Sequence, residues 1–316
     1  MTELQDHRNH PLVSICIATR NRRDDVLTAL DSCFAQTYRP IEVLVYDDAS
    51  TDGTEAAVRK RFPAACVFRQ NEQVGIAGIR KRGLEDARGE YVFSIDDDAY
   101  FTDRSTLGEA VEAFEKHPSA AIVALRYVEA NRDIGRDLDS LRGEEDAVVE
   151  LGSFTSCAYG IRREVGIGVG NYREYLRYRG EEKDLAIRVL DSGFSVIYLS
   201  TPPIVHLYSP SRDWHDMMWL EIRNNYLFTF LNLPALFVLP RLLINCVNSW
   251  RHYFSLAKLP RLLLFSLCGL CNCLKYTAER RPVSIKTYRR YRSLPAHPAQ
   301  RSEGFGDLSP VRTKPS

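Results

Sequence analysis

Three consecutive aspartates, Asp96, Asp97 and Asp98, directly follow the apolar stretch YVFSI at 91–95. Carboxylates held this close repel one another, so we expect a positive charge beside them. At the end of a strand, side chains two residues apart point the same way, so Asp96 and Asp98 would face one site together. Because carboxylate oxygens are good ligands for Mg²⁺ or Mn²⁺, the pattern predicts a divalent metal site. The alternative is an acidic loop that caps a helix near Ser105.

Apolar and amphipathic stretches alternate along the first two thirds of the chain. Short runs rich in β-branched residues predict buried strands, and apolar residues at helical spacing predict helices between them. The predicted strands lie at 12–18, 41–47, 65–70, 91–95, 120–127, 151–163 and 194–200, and the helices at 24–36, 51–62, 75–87, 105–117 and 180–193. The Gly-rich segment 165–172 is predicted to be a loop. This alternation predicts an α/β fold with a parallel, doubly wound sheet.

Polar side chains follow three of these strands, in the segments ATRNR, YDDAST and IDDDA. Ligands bind beyond the carboxyl ends of the strands in such sheets, so we expect the three clusters to form one site. The first cluster offers donors for the base and phosphates of a nucleotide, from Thr19, Arg20, Asn21 and Arg22. Asp48 can accept from a base N–H or a ribose hydroxyl. The alternative for Asp47 and Asp48 is capping of the helix that begins near residue 52.

The last quarter of the chain differs from the rest in charge and hydropathy. After position 240 the chain holds 14 of its 42 Lys and Arg residues but only three of its 41 Asp and Glu residues. The apolar stretches 226–240 and 261–276 are shorter than the roughly 20 residues that span a bilayer. Basic residues interleaved with Leu, Phe and Trp favour helices at a membrane surface; the alternative is a helical pair packed on the main domain or in a homodimer interface. These basic residues form no polar stripe, so nucleic acid is not expected as a partner.

The eight cysteines and the polar N-terminus, MTELQDHRNHPLVS, predict a reducing, cytoplasmic compartment, because no apolar secretory leader is visible. Cys268, Cys271 and Cys273 have a metal-like spacing, but no second pair accompanies them, which favours small residues of an apolar helix. The Pro-, Ser- and Gly-rich segment 295–316 is predicted to be disordered.

Four blocks of the chain, in order, resemble the family 2 glycosyltransferases of the GT-A fold. They are VSICIATRNR, EVLVYDDASTDGT, NEQVGIAGIRKRGLEDARGEYVFSIDDDA and GEEKDLAIRVLDSGF. The resemblance covers roughly residues 11 to 225. It implies a Rossmann-like, mostly parallel sheet flanked by helices, a nucleotide-diphosphate sugar donor, a divalent metal and inversion at the anomeric carbon. The expected domains are a catalytic domain at 1–225, a helical apolar and basic extension at 226–294, and the tail at 295–316.

The resemblance also implies roles for individual residues. Asp48 matches the aspartate that contacts the nucleobase, and Asp96 and Asp98 match the pair that holds the ribose and the metal–diphosphate. Glu181 and Glu182 match the acidic pair before a helix, with Glu182 at the position of the general base.

Two positions depart from the family pattern and two more are candidates by similarity. Arg20 stands where many members have an aromatic residue on the base, and Glu182 replaces the usual aspartate. His206 resembles a histidine near the diphosphate or metal in related enzymes. Arg223 lies in a segment, EIRNNY, that is similar to one near the acceptor or phosphate in bacterial members.

The function that these features imply is sugar transfer to a hydroxyl of a saccharide or lipid-linked acceptor, in bacterial envelope polysaccharide synthesis at the inner face of the cell membrane. The metal would stabilise the leaving diphosphate, and Glu182 would take the proton of the attacking hydroxyl. A sugar nucleotidyltransferase is disfavoured, because ATRNRRDD has no glycine for a phosphate-binding loop. A non-catalytic nucleotide-sugar-binding scaffold protein is the other alternative, and its sole support is the Glu at position 182.

Overall fold

The computed structural model describes residues 10–130, 148–207, 214–253 and 259–296, and within them a nine-stranded sheet is flanked by helices. The strands are β1 (Val13–Thr19), β2 (Ile41–Asp47), β3 (Cys66–Arg69), β4 (Tyr91–Asp96), β5 (Ala99–Phe101), β6 (Ala120–Ala130), β7 (Val148–Leu151), β8 (Ala158–Arg162) and β9 (Ser195–Leu207). The helices are α1 (Arg23–Phe34), α2 (Thr54–Arg61), α3 (Ile76–Asp86), α4 (Thr106–Lys116), α5 (Arg163–Gly168), α6 (Glu181–Asp191), α7 (Trp214–Asn232), α8 (Ala235–Tyr253), α9 (Leu259–Lys275) and α10 (Ile285–Ser293). The predicted α/β class is confirmed.

The central strands are mostly apolar because both of their faces are covered. In β1, Ile15 and Ile17 pack in one core cluster with Leu30 of α1. Cys16 points to the opposite face and packs in a second cluster with Leu84 of α3. Successive side chains of a strand alternate between faces, so a strand buried on both sides has no polar alternation.

The first half of the sheet is parallel, in the order β3-β2-β1-β4. The register pairs Thr19 of β1 with Asp47 of β2, and Ala18 with Asp96 of β4. The carboxyl ends of these strands therefore meet at one edge, as the polar clusters of the sequence predicted.

The second half of the sheet contains antiparallel pairs, which the sequence analysis did not predict. β8 runs antiparallel to both β4 and β6, and the short strand β5 pairs antiparallel with β9. The predicted strand 151–163 is instead the end of β7, a turn and β8, and the predicted loop 165–172 begins inside α5. The sheet is therefore mixed.

The C-terminal helices pack on one another and on the sheet domain. α7 contributes Met218, Ile222 and Leu227 to a cluster that also holds Leu262 of α9. α10, which the sequence analysis did not assign, returns to α6, where Thr287 Oγ1 donates to Asp191 Oδ1 at 2.6 Å.

The structure does not test the predicted domain boundary or the predicted disordered tail. The expected domain boundary after residue 225 falls inside α7, and the division into domains stays a prediction. The expected disordered tail lies outside the described residues from 297 onward.

None of the helices in the described part of the chain has the length and hydropathy needed to cross a bilayer.

Candidate functional site

Two carboxylates and an imidazole meet where β4 ends. Asp96 is the last residue of β4, and Asp98 lies two positions later, directly before β5. The pairing of β5 with β9 sets Ala99 opposite His206, whose Nε2 lies 3.2 Å from an Asp98 oxygen and 3.9 Å from an Asp96 oxygen. One ligand atom from each of the three residues lies within 4.8 Å of the others. The structure thus brings together the three residues that were predicted to bind a metal.

The positive charge expected beside the aspartates is supplied by Arg22, directly before α1. Its Nη1 donates to Asp97 Oδ1 at 2.8 Å and to Asp98 Oδ2 at 2.6 Å. Burial raises the pKa of the Asp97 carboxyl to about 7, although the Arg22 guanidinium opposes this shift. Arg22 thus contacts the aspartate loop, and its predicted contact with the phosphates of a nucleotide stays a prediction.

A second arginine, Arg80 of α3, was not identified as a site residue from the sequence. Its buried guanidinium donates to Glu181 Oε1 at 2.7 Å and to Asp96 Oδ1 at 3.3 Å. It also donates to the Ser156 carbonyl oxygen at 3.2 Å. Burial and the charge of the neighbouring Glu182 carboxylate raise the pKa of Glu181 to about 8, although the Arg80 guanidinium lowers it. Arg80 therefore ties the end of β4 to the start of α6.

Glu182, the predicted base, lies in the first turn of α6 beside an open cavity. Gly180 precedes this helix with φ 91°, a conformation that residues with a Cβ rarely adopt. The Gly180 N–H donates to Glu182 Oε2 at 3.2 Å, and the Ser156 hydroxyl donates to Glu182 Oε1 at 2.7 Å. The cavity has a volume of about 270 Å³, and Glu182 lines it together with Thr155 and Lys183. Glu182 can thus reach a group that enters from solvent.

The loops after β1 and β2 are joined by hydrogen bonds. The Asp48 N–H donates to the Thr19 carbonyl oxygen at 2.9 Å. Asn21, at φ 51°, accepts from the Thr51 N–H at 2.8 Å through Oδ1. Arg20 is exposed beside them. Asn21 therefore fixes the shape of the strand-end loops, while Arg20 points toward solvent-accessible space.

Asp48 is buried and holds the loop that leads into α3. Its two carboxylate oxygens accept from the Val74 N–H at 2.8 Å and the Gly75 N–H at 3.1 Å. Gly53 is the N-cap of α2 and no side chain caps this helix. Asp47 accepts from the Ser50 N–H at 2.7 Å, outside the helix, so the capping alternative for Asp47 and Asp48 is wrong. A contact of Asp48 with a nucleobase stays a prediction.

Two further predicted residues, Glu181 and Arg223, do not line the cavity. Glu181 is buried against Arg80 and does not line the cavity beside Glu182. Arg223 of α7 donates through Nη2 to the carbonyl oxygens of Tyr175 at 2.5 Å and Leu176 at 3.1 Å. Arg223 thus holds the backbone at Tyr175 and Leu176, in the segment before α6. A direct contact of Arg223 with an acceptor stays a prediction.

The amino-acid sequence is similar to those of known glycosyltransferases. The family described as "Glycosyl transferase family 2" matches residues 14–177. The Escherichia coli UDP-Glc:alpha-D-GlcNAc-diphosphoundecaprenol beta-1,3-glucosyltransferase WfaP is 36% identical over 91 residues, 28% of this chain and 36% of that protein. The amylovoran biosynthesis glycosyltransferase AmsB of Erwinia amylovora is 22% identical over 274 residues, 77% of this chain and 90% of that protein. The chain spans about a third of the length of the first curated relatives it matches.

Among solved structures, the mannosyltransferase PcManGT from Pyrobaculum calidifontis, in complex with GDP-Man and Mn²⁺, is similar to this chain with a TM-score of 0.55. The similarity covers 90% of this chain and 79% of that one at 22% identity. At this identity the likeness concerns the fold, and it confirms the GT-A fold that the sequence blocks implied.

Proposed function

Because the chain belongs to glycosyl transferase family 2, we propose that it transfers a sugar, with inversion, from a nucleotide-diphosphate donor to a hydroxyl of a saccharide or lipid-linked acceptor. The observation that carries the proposal is the junction at Arg80 and Ser156. Arg80 contacts Asp96 and the Ser156 carbonyl, and the Ser156 hydroxyl donates to Glu182. The candidate metal ligands and the candidate base are thus linked through two residues.

The donor would bind at the strand ends. Asp96, Asp98 and His206 fit a divalent cation, since their ligand atoms converge and comprise carboxylate oxygens and an imidazole nitrogen. They would hold Mn²⁺ or Mg²⁺, which stabilises the charge that a leaving nucleotide diphosphate gains. The presence of GDP-Man and Mn²⁺ in the PcManGT structure supports this assignment. WfaP uses UDP-Glc by its name, so uridine and guanosine nucleotides are both candidates.

The acceptor hydroxyl would lie in the cavity that Glu182 lines. Glu182 takes the proton of this hydroxyl as its oxygen attacks the anomeric carbon. Because attack comes from the side opposite the diphosphate, a single displacement inverts this carbon and needs no covalent enzyme intermediate. The bonds from Gly180 and Ser156 leave the carboxylate fixed in orientation at the cavity wall.

The acceptor side of the molecule would meet the inner face of the cell membrane. α8 and α9 expose large apolar side chains in the described part of the chain: Leu236, Leu239, Leu243, Ile244 and Val247 on α8, and Leu263, Leu264, Leu267, Leu270 and Leu274 on α9. Their helical spacing forms stripes, which suit the headgroup region of a bilayer. The names of WfaP and AmsB support an acceptor in envelope polysaccharide synthesis. A homodimer interface is the other outcome that a test must separate.

The first experiment is calorimetric titration of UDP-, dTDP- and GDP-sugars into the protein with Mn²⁺ and then with EDTA. We expect one donor to bind when Mn²⁺ is present but not in EDTA. Asp98→Asn should abolish this binding. Asp31→Asn, which removes an exposed carboxylate on α1, is the matched control and leaves binding unchanged. Binding that does not depend on metal would overturn the assignment of Asp96, Asp98 and His206.

A second experiment separates an enzyme from a scaffold protein. Glu182→Gln keeps donor binding but lowers sugar transfer by about 10²-fold or more, because general base catalysis is lost. Glu182→Asp, which restores the residue usual in the family, retains part of the activity. Donor binding with no turnover, identical in wild type and Glu182→Gln, would favour the non-catalytic scaffold.

A further inference from the structure

A second cavity adjoins the one that Glu182 lines. It has a volume of about 510 Å³ and lies between α7 and α8. Both cavities are lined by Glu221 and Asn225, which are four residues apart and so lie on one face of α7. The two cavities therefore adjoin each other and share one wall. The second cavity is here named the α7–α8 groove, and it runs along α8.

The α8 side of this groove is polar and basic. It is formed by Arg241, Asn245, Asn248, Ser249 and Arg251. Asn245 Nδ2 donates to the Asn225 carbonyl oxygen at 3.1 Å and to Thr229 Oγ1 at 2.9 Å, which fixes α8 against α7. The groove thus has a defined wall that presents guanidinium and amide groups.

The net charge of the groove is positive away from Glu182. Glu221, the acid of the second cavity, is paired with Arg179 at 2.9 Å. Within 10–130, 148–207, 214–253 and 259–296, neither Arg241 nor Arg251 forms an ion pair with a carboxylate. Burial lowers the pKa of Lys183, and the charge of Arg241 acts in the same direction, so Arg241 lies within electrostatic reach of α6. The groove therefore presents two guanidinium groups that have no carboxylate partner in the described part of the chain.

The other face of α8 is apolar and exposed. Leu239, Leu243 and Val247 follow one another at four-residue spacing and are more than half exposed. On a helix, Arg241, Asn245 and Asn248 lie on roughly the opposite side from this stripe. A ligand with an anionic head and an alkyl chain matches both surfaces, since the head can enter the groove while the chain stays with the apolar stripe.

We infer that the α7–α8 groove binds the phosphate or diphosphate of the acceptor, with Arg241 and Arg251 as the cations that line it, so that the acceptor is a sugar joined through phosphate or diphosphate to an alkyl chain. The inference rests on the proposed sugar transfer, and it assigns to the groove a role that the family site at the strand ends does not have. Guanidinium groups suit it because they offer paired N–H donors to phosphate oxygens. The acceptor sugar then lies toward Glu182, along the shared wall of the two cavities.

The test is the binding of decyl diphosphate, below its micellar concentration, to the full chain in EDTA. EDTA prevents the diphosphate from using a metal at the strand ends. Arg241→Gln with Arg251→Gln should weaken binding by about tenfold for each arginine removed. Arg289→Gln on α10 removes the same charge outside both cavities and should change the Kd less than about twofold. Decyl maltoside, with a neutral head, should bind far more weakly to the wild type.

Several results would overturn the inference. They are no binding of decyl diphosphate by the wild type, equal binding of decyl maltoside, or an unchanged Kd in the double variant. Vesicles of phosphatidylglycerol test whether the arginines bind the phosphate of lipid headgroups rather than that of the acceptor. If the arginine variants lose vesicle binding but keep decyl diphosphate binding, the arginines face lipid headgroups and the acceptor role is wrong.

Two controls keep these outcomes interpretable. Arg251 is exposed, so Arg251→Gln alone tests the groove if the double variant unfolds, and thermal melting of each variant checks folding. Asp98→Asn should abolish metal-dependent donor binding but leave decyl diphosphate binding in EDTA unchanged. Failure of the donor site and failure of the groove are therefore separate results.

Discussion

Arg80 Nη1 donates to Glu181 Oε1 at 2.7 Å, although the two residues stand 101 positions apart and both side chains are almost completely buried. The guanidinium also lies over the Tyr159 ring, 5.9 Å from its centroid. It faces Asp96 as well, so one cation serves two carboxylates. Arg80 therefore links α3, β4 and α6 through buried contacts.

Replacing Arg80 should destabilise the fold. Arg80→Gln leaves the Glu181 carboxylate buried beside Glu182 without a cation, and breaking a buried ion pair from one side costs about 3–5 kcal/mol. Urea unfolding at pH 9, above the pKa of about 8 that Glu181 has in the folded protein, measures this loss. Glu181→Gln in the Arg80→Gln background removes the uncompensated charge and should recover part of it. Equal stability of the single and double variants would show that the pair is not coupled.

Asp184 makes a second buried network, and its stability contribution depends on pH. Burial alone would raise the pKa of Asp184, but the Arg188 and Arg173 guanidiniums outweigh it and lower the pKa below its usual value. Arg173 lies at 2.6 Å, Arg188 at 2.8 Å, and the Asn232 amide donates at 2.7 Å. Asp184→Asn should cost about 3–5 kcal/mol at pH 7, because two buried cations lose their partner.

The sign of the pH effect follows from the lowered pKa. The stabilisation by Asp184 is fully present above the unfolded pKa of about 3.9 and is lost as pH falls through the folded value. The difference between wild type and Asp184→Asn should therefore shrink in urea unfolding curves measured at pH 7, 5, 4 and 3. Asp31→Asn, which breaks an exposed pair with Arg61, should cost at most about 1 kcal/mol. A difference for Asp184→Asn that stays constant down to pH 3 would contradict the lowered pKa.

Local sequence patterns predicted the parallel strands because each is a short apolar run closed by polar residues. They did not predict the full length of β9, which continues through Pro202 and Pro203. The register explains why prolines are tolerated: Leu125 pairs with Leu199 but Tyr127 pairs with Ile204, so the prolines lie in a bulge. A bulge needs no ladder hydrogen bond from these residues. This extension places His206 beside β5.

The candidate site also contains residues that the sequence predicted and contacts that it did not. Asp96 and Asp98 were predicted from their types and spacing, and Glu182 was predicted from the family resemblance. Arg22 was predicted to contact a ligand, which stays a prediction; its pairs with Asp97 and Asp98 were not predicted. The role of Arg80 depends on contacts with distant residues, which no local pattern carries. The one available signal was its place in the block NEQVGIAGIRKRG, among the residues that the family resemblance covers.

The close contact of α7 and α9 should tolerate no side chain at Gly269. A Cβ at this position would lie 2.7 Å from Tyr226 Cδ2 and 3.3 Å from Tyr226 Cγ, too close for the helices to keep their spacing. Gly269→Ala should therefore destabilise the protein, although alanine favours a helix by about 1 kcal/mol over glycine. Gly108→Ala on α4 is the control, since its nearest neighbour is Tyr38 Cδ2 at 3.9 Å, and it should stabilise. Thermal unfolding with opposite shifts for the two variants would support the contact.

The exposed leucines of α8 and α9 should determine membrane binding. Leu239→Ser with Leu243→Ser removes two side chains that are more than half exposed, so folding should be little affected. Burying a leucine in an apolar environment is worth about 1.5–3 kcal/mol, so partition into vesicles should fall by tenfold or more. Sedimentation with vesicles of phosphatidylethanolamine and phosphatidylglycerol measures the bound fraction.

The control for this loss is Ile285→Ser, an exposed apolar residue at the start of α10. It removes a similar apolar area away from the leucine stripes and should leave vesicle binding unchanged. Analytical ultracentrifugation of the same variants tests the competing role of the stripes. If Leu239→Ser with Leu243→Ser converts a dimer into a monomer and leaves vesicle binding unaltered, the leucines join two copies of this chain, and the proposed membrane contact is wrong.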